Sequence, residues 1–204
     1  MNYRFAYAVG FHPWEDAEGH PPFTAKIAEL FKREEDWREP PYGSALDLGT
    51  GSGIWGVQLA TRGWQVTGVD NVHKALRRAS ERVQKAGVEM RLVQGDVTDL
   101  RAVSVGSGFR LVLDTGTFHG LDSSDRGAMA REVDAVAGAD ATVLLLAWEP
   151  KRRGPLPRGV SEREIEAVFP GWRVTDVGAS HFQAPKPIEL LLKPNERWYR
   201  LRRE

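Results

Sequence analysis

The chain has no cysteine among its 204 residues. That excludes a disulfide framework and a thiolate metal site, and it removes Cys as a nucleophile. Neither charge is in excess: Lys plus Arg and Asp plus Glu each total 28, so the formal net charge is zero. No global basic field exists to hold a phosphate backbone, which disfavours a nucleic-acid substrate. No stretch approaches the ~18 apolar residues of a membrane span, and the N-terminus lacks a basic segment followed by a long apolar core. The expectation is a soluble, cytoplasmic protein without membrane contact, a monomer or homodimer. Its length suits one α/β domain with a full core and is too short for two ordinary ones.

What the chain does have is Ala45-Leu46-Asp47-Leu48-Gly49-Thr50-Gly51-Ser52-Gly53, followed by Val66-Thr67-Gly68-Val69-Asp70. An apolar run that leads into three glycines at every second position describes a buried strand ending in a turn where backbone approaches a ligand. The second run ends in an acid about twenty residues later, where a βαβ unit places a carboxylate able to accept from ribose hydroxyls. An adenosine-type cofactor follows. The dinucleotide fingerprint G-x-G-x-x-G would need glycine at position 54, which is Ile54, so a nicotinamide-dependent oxidoreductase is disfavoured. An acid two residues before the first glycine suits a cationic ligand better than a pyrophosphate.

Strand-like and helix-like segments alternate along the chain, which predicts a mostly parallel sheet with helices on both faces. Strands are expected over 44–48, 65–70, 89–94, 109–114, 141–148, 172–178 and 197–202, and helices over 22–33, 54–61, 72–86, 122–136 and 161–169. Gly87 is placed to stop the third helix, and Ser161 with Glu164 forms a capping box with no catalytic role. The basic cluster Arg197, Arg200, Arg202 and Arg203 reads as a strand with one solvated face.

The acid-x-G-x-G-x-G loop, Asp70 ending a second run, Gly95-Asp96-Val97 ending a third and Leu111-Val112-Leu113-Asp114 ending a fourth together resemble the class I S-adenosylmethionine-dependent methyltransferases. The resemblance covers nearly the whole chain, with specific motifs between Asp47 and Leu121. It implies an α/β, Rossmann-like seven-stranded, mostly parallel sheet with an antiparallel edge strand and helices on both faces. It also implies one methyltransferase domain over 1–204, with 1–40 a helical leader or lid and 41–204 the core. The implied cofactor is S-adenosyl-L-methionine, leaving as S-adenosyl-L-homocysteine, with no metal.

The resemblance assigns cofactor contacts residue by residue. Asp47 reaches the ammonium directly or through water, and Gly49, Gly51 and Gly53 let backbone lie against the methionine part. Asp70, with Asn71 beside it, holds the ribose. Asp96 accepts from the adenine amino group and Val97 offers its amide and an apolar face; the alternative for Asp96 is turn capping. Asp114 and Phe118 belong to the segment 114–121, which family members place between cofactor methyl and acceptor. Within it His119 is the candidate for chemistry, as a base for an acceptor hydroxyl, amine or thiol, or else as a hydrogen-bonded loop residue that only orients. Trp14 is the candidate aromatic for packing on the cofactor, through cation–π attraction to a sulfonium, or for stapling the leader to the domain; Tyr3, Tyr7, Phe11 and His12 share either task.

The short leader and the Asp114-to-His119 sequence look like small-molecule enzymes such as the thiopurine and tellurite-resistance groups, so the expected acceptor is a small molecule methylated on O, N or S. No Asn-Pro-Pro-Tyr-like segment follows the fourth run. The alternatives are methylation of RNA or protein, with Lys151, Arg152, Arg153 and Arg158 as a docking patch, or a nucleoside-binding module without catalysis.

Overall fold

The structure is a computed structural model that describes residues 18–151, 158–182 and 195–204. Period-two alternation makes the central strands two-faced. In β1 (Ser44–Leu48) and β4 (Phe109–Asp114), Ala45, Leu111 and Leu113 pack to one side of the sheet while Leu46, Leu48 and Val112 pack to the other. In β5 (Ala137–Trp148), Leu144 and Leu146 likewise oppose Val143 and Leu145. Strands buried on both faces require helices on both faces, and the chain supplies them.

The first layer is α1 (Pro21–Glu35) with α2 (Ile54–Thr61). Two prolines open α1, where their missing amides cost nothing, and Phe23, Ile27, Leu30 and Phe31 form its buried stripe. Residues 21–35 of the expected leader are therefore a core layer of the domain. The helix α3 (His73–Ala86) packs beside α2 and stops at Gly87 in the left-handed conformation. On the opposite face lie α4 (Ser123–Val136), capped by Asp122, and α5 (Glu162–Val168), opened by the Ser161–Glu164 capping box.

With β2 (Gln65–Asp70), β3 (Met90–Gln94), β6 (Trp172–Ala179) and β7 (Glu196–Arg203), the seven-stranded sheet runs β3-β2-β1-β4-β5-β7-β6. The first five pair in parallel, and β7 pairs antiparallel with both β5 and β6. The chain winds outward from β1 to β3 and then returns to the other side of β1, which puts the switch point between β1 and β4. Register sets Asp114 level with Leu48, so the acids that end β1, β2 and β4 share one rim.

Two expectations need correction. The strand over 141–148 begins at Ala137, directly out of α4, because Ala137-Gly138-Ala139-Asp140 carries no apolar alternation to announce it; a register shift between Phe109 and Leu111 accommodates the addition. The basic strand has no solvated face, since Trp198, Tyr199, Arg200 and Leu201 are all buried. It lies inside the sheet, with α1 delivering Glu34 to Arg200 at 2.6 Å. No helix among the described residues is long and apolar enough to cross a membrane.

Candidate functional site

The loop after β1 turns on three left-handed glycines at alternate positions, with φ of 63° at Gly49, 56° at Gly51 and 77° at Gly53, a conformation that a side chain makes costly. Protein packing adds to this. A Cβ on Gly49 would run into the Thr117 hydroxyl, and one on Gly53 would lie 3.1 Å from the Ala79 Cβ on α3. The loop is closed by the Gly53 amide donating to the Thr50 carbonyl at 2.8 Å and by the Thr50 amide donating to the Val69 carbonyl at 2.9 Å.

Asp70 ties this loop to the next strand: its carboxylate accepts the Gly51 amide at 2.9 Å and the Val72 amide at 2.8 Å. Asn71 beside it is exposed. Asp47 is 1 % exposed and accepts the Thr50 hydroxyl at 2.5 Å, while its Oδ1 is buried with no hydrogen-bond partner among the described residues. Burial pushes the Asp47 carboxyl up to about 7; the Thr50 hydroxyl opposes this, and the nearby Asp114 and Asp70 add to it. The Ser52 hydroxyl in the same loop is also buried and without a partner among the described residues. An uncompensated carboxylate oxygen beside the loop matches a cationic ligand group, and the residues fit the methionine end of the expected cofactor.

Asp114, the third acid, is fully buried and turned onto its own loop. One oxygen accepts the Gly116 and Thr117 amides, each at 2.7 Å, and the other accepts the Phe118 amide at 3.0 Å. Burial raises its carboxyl to about 6 against the pull of these bonds. Its work is to shape the segment that carries His119. Phe118 faces away from the rim: its ring is wholly buried, 5.8 Å from that of Phe169, because the short 3-10 turn 118–120 directs it into the core. It leaves no surface for a cofactor.

Asp96 is exposed and accepts the Thr98 amide at 2.9 Å and the Thr98 hydroxyl at 2.7 Å, which is the turn-capping alternative. The Val97 side chain is buried in the core beneath it. Trp14, with Tyr3, Tyr7, Phe11 and His12, lies outside the described residues.

His119 is 8 % exposed and its ring stacks on that of Trp148, with centroids 5.0 Å apart and planes 16° from parallel. Trp148 ends β5 and donates from Nε1 to Glu196 at 2.8 Å. Burial raises the Glu196 carboxyl, opposed by its hydrogen bonds to Trp148 and Ser180. Glu196 was not foreseen from the sequence, although the reversal of β7 was the available signal: an antiparallel strand brings its first residues, not its last, to the ligand rim. Among the described residues no cluster of three or more His, Asp or Glu has the spacing of a metal site.

Residues 45–139 match the methyltransferase domain family. Among curated proteins, 55 residues are 38% identical to the ribosomal RNA small subunit methyltransferase C of Alcanivorax borkumensis, covering 27% of this chain and 17% of that one. A 94-residue stretch is 31% identical to the human EEF1A lysine methyltransferase 2, covering 45% of this chain and 39% of that one. The chain thus spans well under half the length of these curated relatives. A solved structure of the Burkholderia thailandensis 1,6-didemethyltoxoflavin-N1-methyltransferase, with bound 1,6-didemethyltoxoflavin and S-adenosylhomocysteine, shares the fold with a TM-score of 0.72 at 19% identity, covering 99% of this chain and 85% of that one.

Proposed function

We propose that the chain is a class I S-adenosylmethionine-dependent methyltransferase that moves a methyl group from S-adenosylmethionine to O, N or S of a small-molecule acceptor; the methyltransferase-domain match over residues 45–139 and the shared fold support this reading. The observation that carries this reading is the buried Asp47 carboxylate, its Oδ1 without a partner among the described residues, beside a left-handed glycine loop at the switch point of the sheet. When bound, the cofactor supplies a methyl carbon made electrophilic by its sulfonium. Asp47 would hold the ammonium, Asp70 would take the ribose with the lone pairs left over from the Gly51 and Val72 amides, and the three glycines would let backbone lie against the methionine part. Asp114 contributes by fixing the segment that presents His119. Aligning the acceptor with the methyl group supplies most of the rate, through proximity worth about 7 to 11 kcal/mol in favourable cases. A His119 ring packed on Trp148 suits an orienting role, with proton removal confined to its exposed edge.

Two observations support a small acceptor. The toxoflavin neighbour is named for a small heterocycle, and it matches nearly the full length of this chain. The basic strand is engaged internally: Arg197 pairs with Glu149, Arg200 with Glu34 and Arg203 with Asp134, while Arg202 lies 4.3 Å from the centre of the Trp37 ring. A second reading, an RNA or protein acceptor, draws on the two curated relatives. Of its docking patch, Arg158 pairs with Glu164, and Arg152 and Arg153 lie outside the described residues.

Parallel calorimetric titrations with S-adenosylmethionine, S-adenosylhomocysteine and NADH test the proposal. Micromolar binding of the first two and none of the third is the expected result, to be followed by an acceptor screen with labelled methyl groups. Binding of NADH alone, or of nothing, overturns it.

A further inference from the structure

Arg126, in the first turn of α4, touches neither the glycine loop nor the acids of the rim, yet it holds two rim loops together. Its Nε donates to the Phe118 carbonyl at 3.1 Å, and its Nη2 donates to the His119 carbonyl at 2.8 Å and the Gly159 carbonyl at 3.3 Å. The first two carbonyls belong to the turn after β4; the third belongs to the connection after β5. That connection is narrow at its base, where the Val160 amide donates to the Trp148 carbonyl and the Lys151 amide to the Arg158 carbonyl, both at 2.8 Å. Gly159 sits against the Trp148 backbone so closely that a Cβ would fall 2.5 Å from the Trp148 and Glu149 carbonyl oxygens.

The contacts form a closed circuit. The His119 ring lies on the Trp148 ring, Trp148 backbone lies on Gly159, Gly159 is bonded to Arg126, and Arg126 is bonded back to His119. Arg126 is half-buried and makes no ion pair among the described residues; desolvation draws its guanidinium below its ordinary range, the nearby charges of Glu164 and Asp122 oppose this, and its hydrogen bonds go to carbonyl oxygens. A guanidinium suits this because its planar fork offers several donors in fixed directions, whereas an ammonium presents one point of charge. Capping the turn alone would not require a reach to Gly159.

We infer that Arg126 is a positioning residue for the acceptor side of the site, bracing the loops after β4 and β5 so that His119 and Trp148 are held as one stacked unit. The inference rests on the proposed function only in taking this rim as the acceptor side.

The test is histidine-labelled NMR of the full chain without ligand, for the wild type and for Arg126→Met, Arg126→Lys and Trp148→Leu, with the His119 resonance identified by its loss in His119→Ala. The stacked Trp148 ring is expected to displace the wild-type His119 resonance upfield by its ring current, and Trp148→Leu to abolish that displacement. Arg126→Met is expected to lose most of it, and Arg126→Lys to restore a part. Full displacement in Arg126→Met, with only a lower Tm, overturns the inference and leaves Arg126 a structural cap. A wild-type resonance no different from that of Trp148→Leu overturns it too. If Arg126→Met does not fold, Arg126→Lys decides: reduced displacement supports the inference and full displacement overturns it. Calorimetry with S-adenosylmethionine, run on the same proteins, is expected to show unchanged affinity in the Arg126 variants. Failure of the wild type to bind would sink the proposed function, while the ring-current result stands or falls independently.

Discussion

The Asp70 carboxylate accepts the Gly51 amide at 2.9 Å, so the acid that ends β2 builds the turn that follows β1. Asp70→Ala should therefore weaken S-adenosylmethionine by about 1 to 3 kcal/mol, through a lost charge-assisted hydrogen bond and a loosened loop. It should also lower Tm, because the Gly51 and Val72 amides lose their acceptor. Calorimetry and thermal melts measure the two effects, and unchanged affinity would remove Asp70 from the site.

Asp47 makes stability depend on pH. Its carboxyl is raised from 3.8 to about 7 by burial, so across that window the native state keeps a proton that the unfolded chain has released, and stability falls as pH rises. Asp47→Asn, which cannot ionise, is expected to match the wild type near pH 4 and to exceed it by about 2 to 4 kcal/mol at pH 8, each pKa unit being worth about 1.4 kcal/mol. Urea denaturation at both pH values checks this. A wild type equally stable at both, relative to the variant, would mean that Asp47 ionises normally. The same variant should bind S-adenosylmethionine more weakly, since the charge facing the ammonium is gone.

Two glycines separate backbone strain from packing. Gly87 and Gly49 have nearly the same φ, 65° and 63°, but a Cβ on Gly87 meets nothing within 4 Å whereas one on Gly49 meets Thr117. Gly87→Ala should cost about 1 to 2 kcal/mol, the strain of a left-handed alanine. Gly49→Ala should cost clearly more and should weaken cofactor binding as well. Equal losses in denaturant would show that Thr117 moves aside freely.

Glu34 is the buried anchor of α1. Its carboxylate accepts from Arg200 at 2.6 Å, from Thr142 at 2.8 Å and from Arg38 at 3.2 Å. Burial opposes ionisation, but these partners together hold its pKa below the ordinary carboxylate range. This contribution is present above the ordinary range and is lost as pH falls through the lowered value. Glu34→Ala leaves Arg38 and Arg200 without their carboxylate and should cost about 3 to 5 kcal/mol at neutral pH. A loss below ~1 kcal/mol in chemical denaturation would show that Arg38 and Arg200 find other partners or water.

Much of the fold was legible in the chain. Strands buried between helices read as apolar runs, and β1, β2 and β4 occupy the expected spans of residues 44–48, 65–70 and 109–114. The glycine loop was legible because left-handed backbone needs glycine, although the reason at Gly49 and Gly53 includes protein neighbours that no local pattern names. Asp114 and Phe118 show the limit: an acid ending a strand signals the rim, but whether it faces a ligand or its own loop depends on a 3-10 turn. Arg126 carried no signal at all, since its partners are carbonyl groups, which every residue type has.

The sequence by itself determined where most of the strands lie and which acids and glycines follow them, because hydrophobic period and chain direction are local properties; of the four acids expected on one rim, Asp96 instead caps its own turn. Only the tertiary structure decided what those groups do. It put β7 inside the sheet, turned the basic strand's arginines onto internal partners, left Asp47 with an uncompensated oxygen, and stacked His119 on Trp148. Those outcomes depend on which distant segments pack against each side chain, and burial and partnership, more than residue type, set the charge and reach of a polar group.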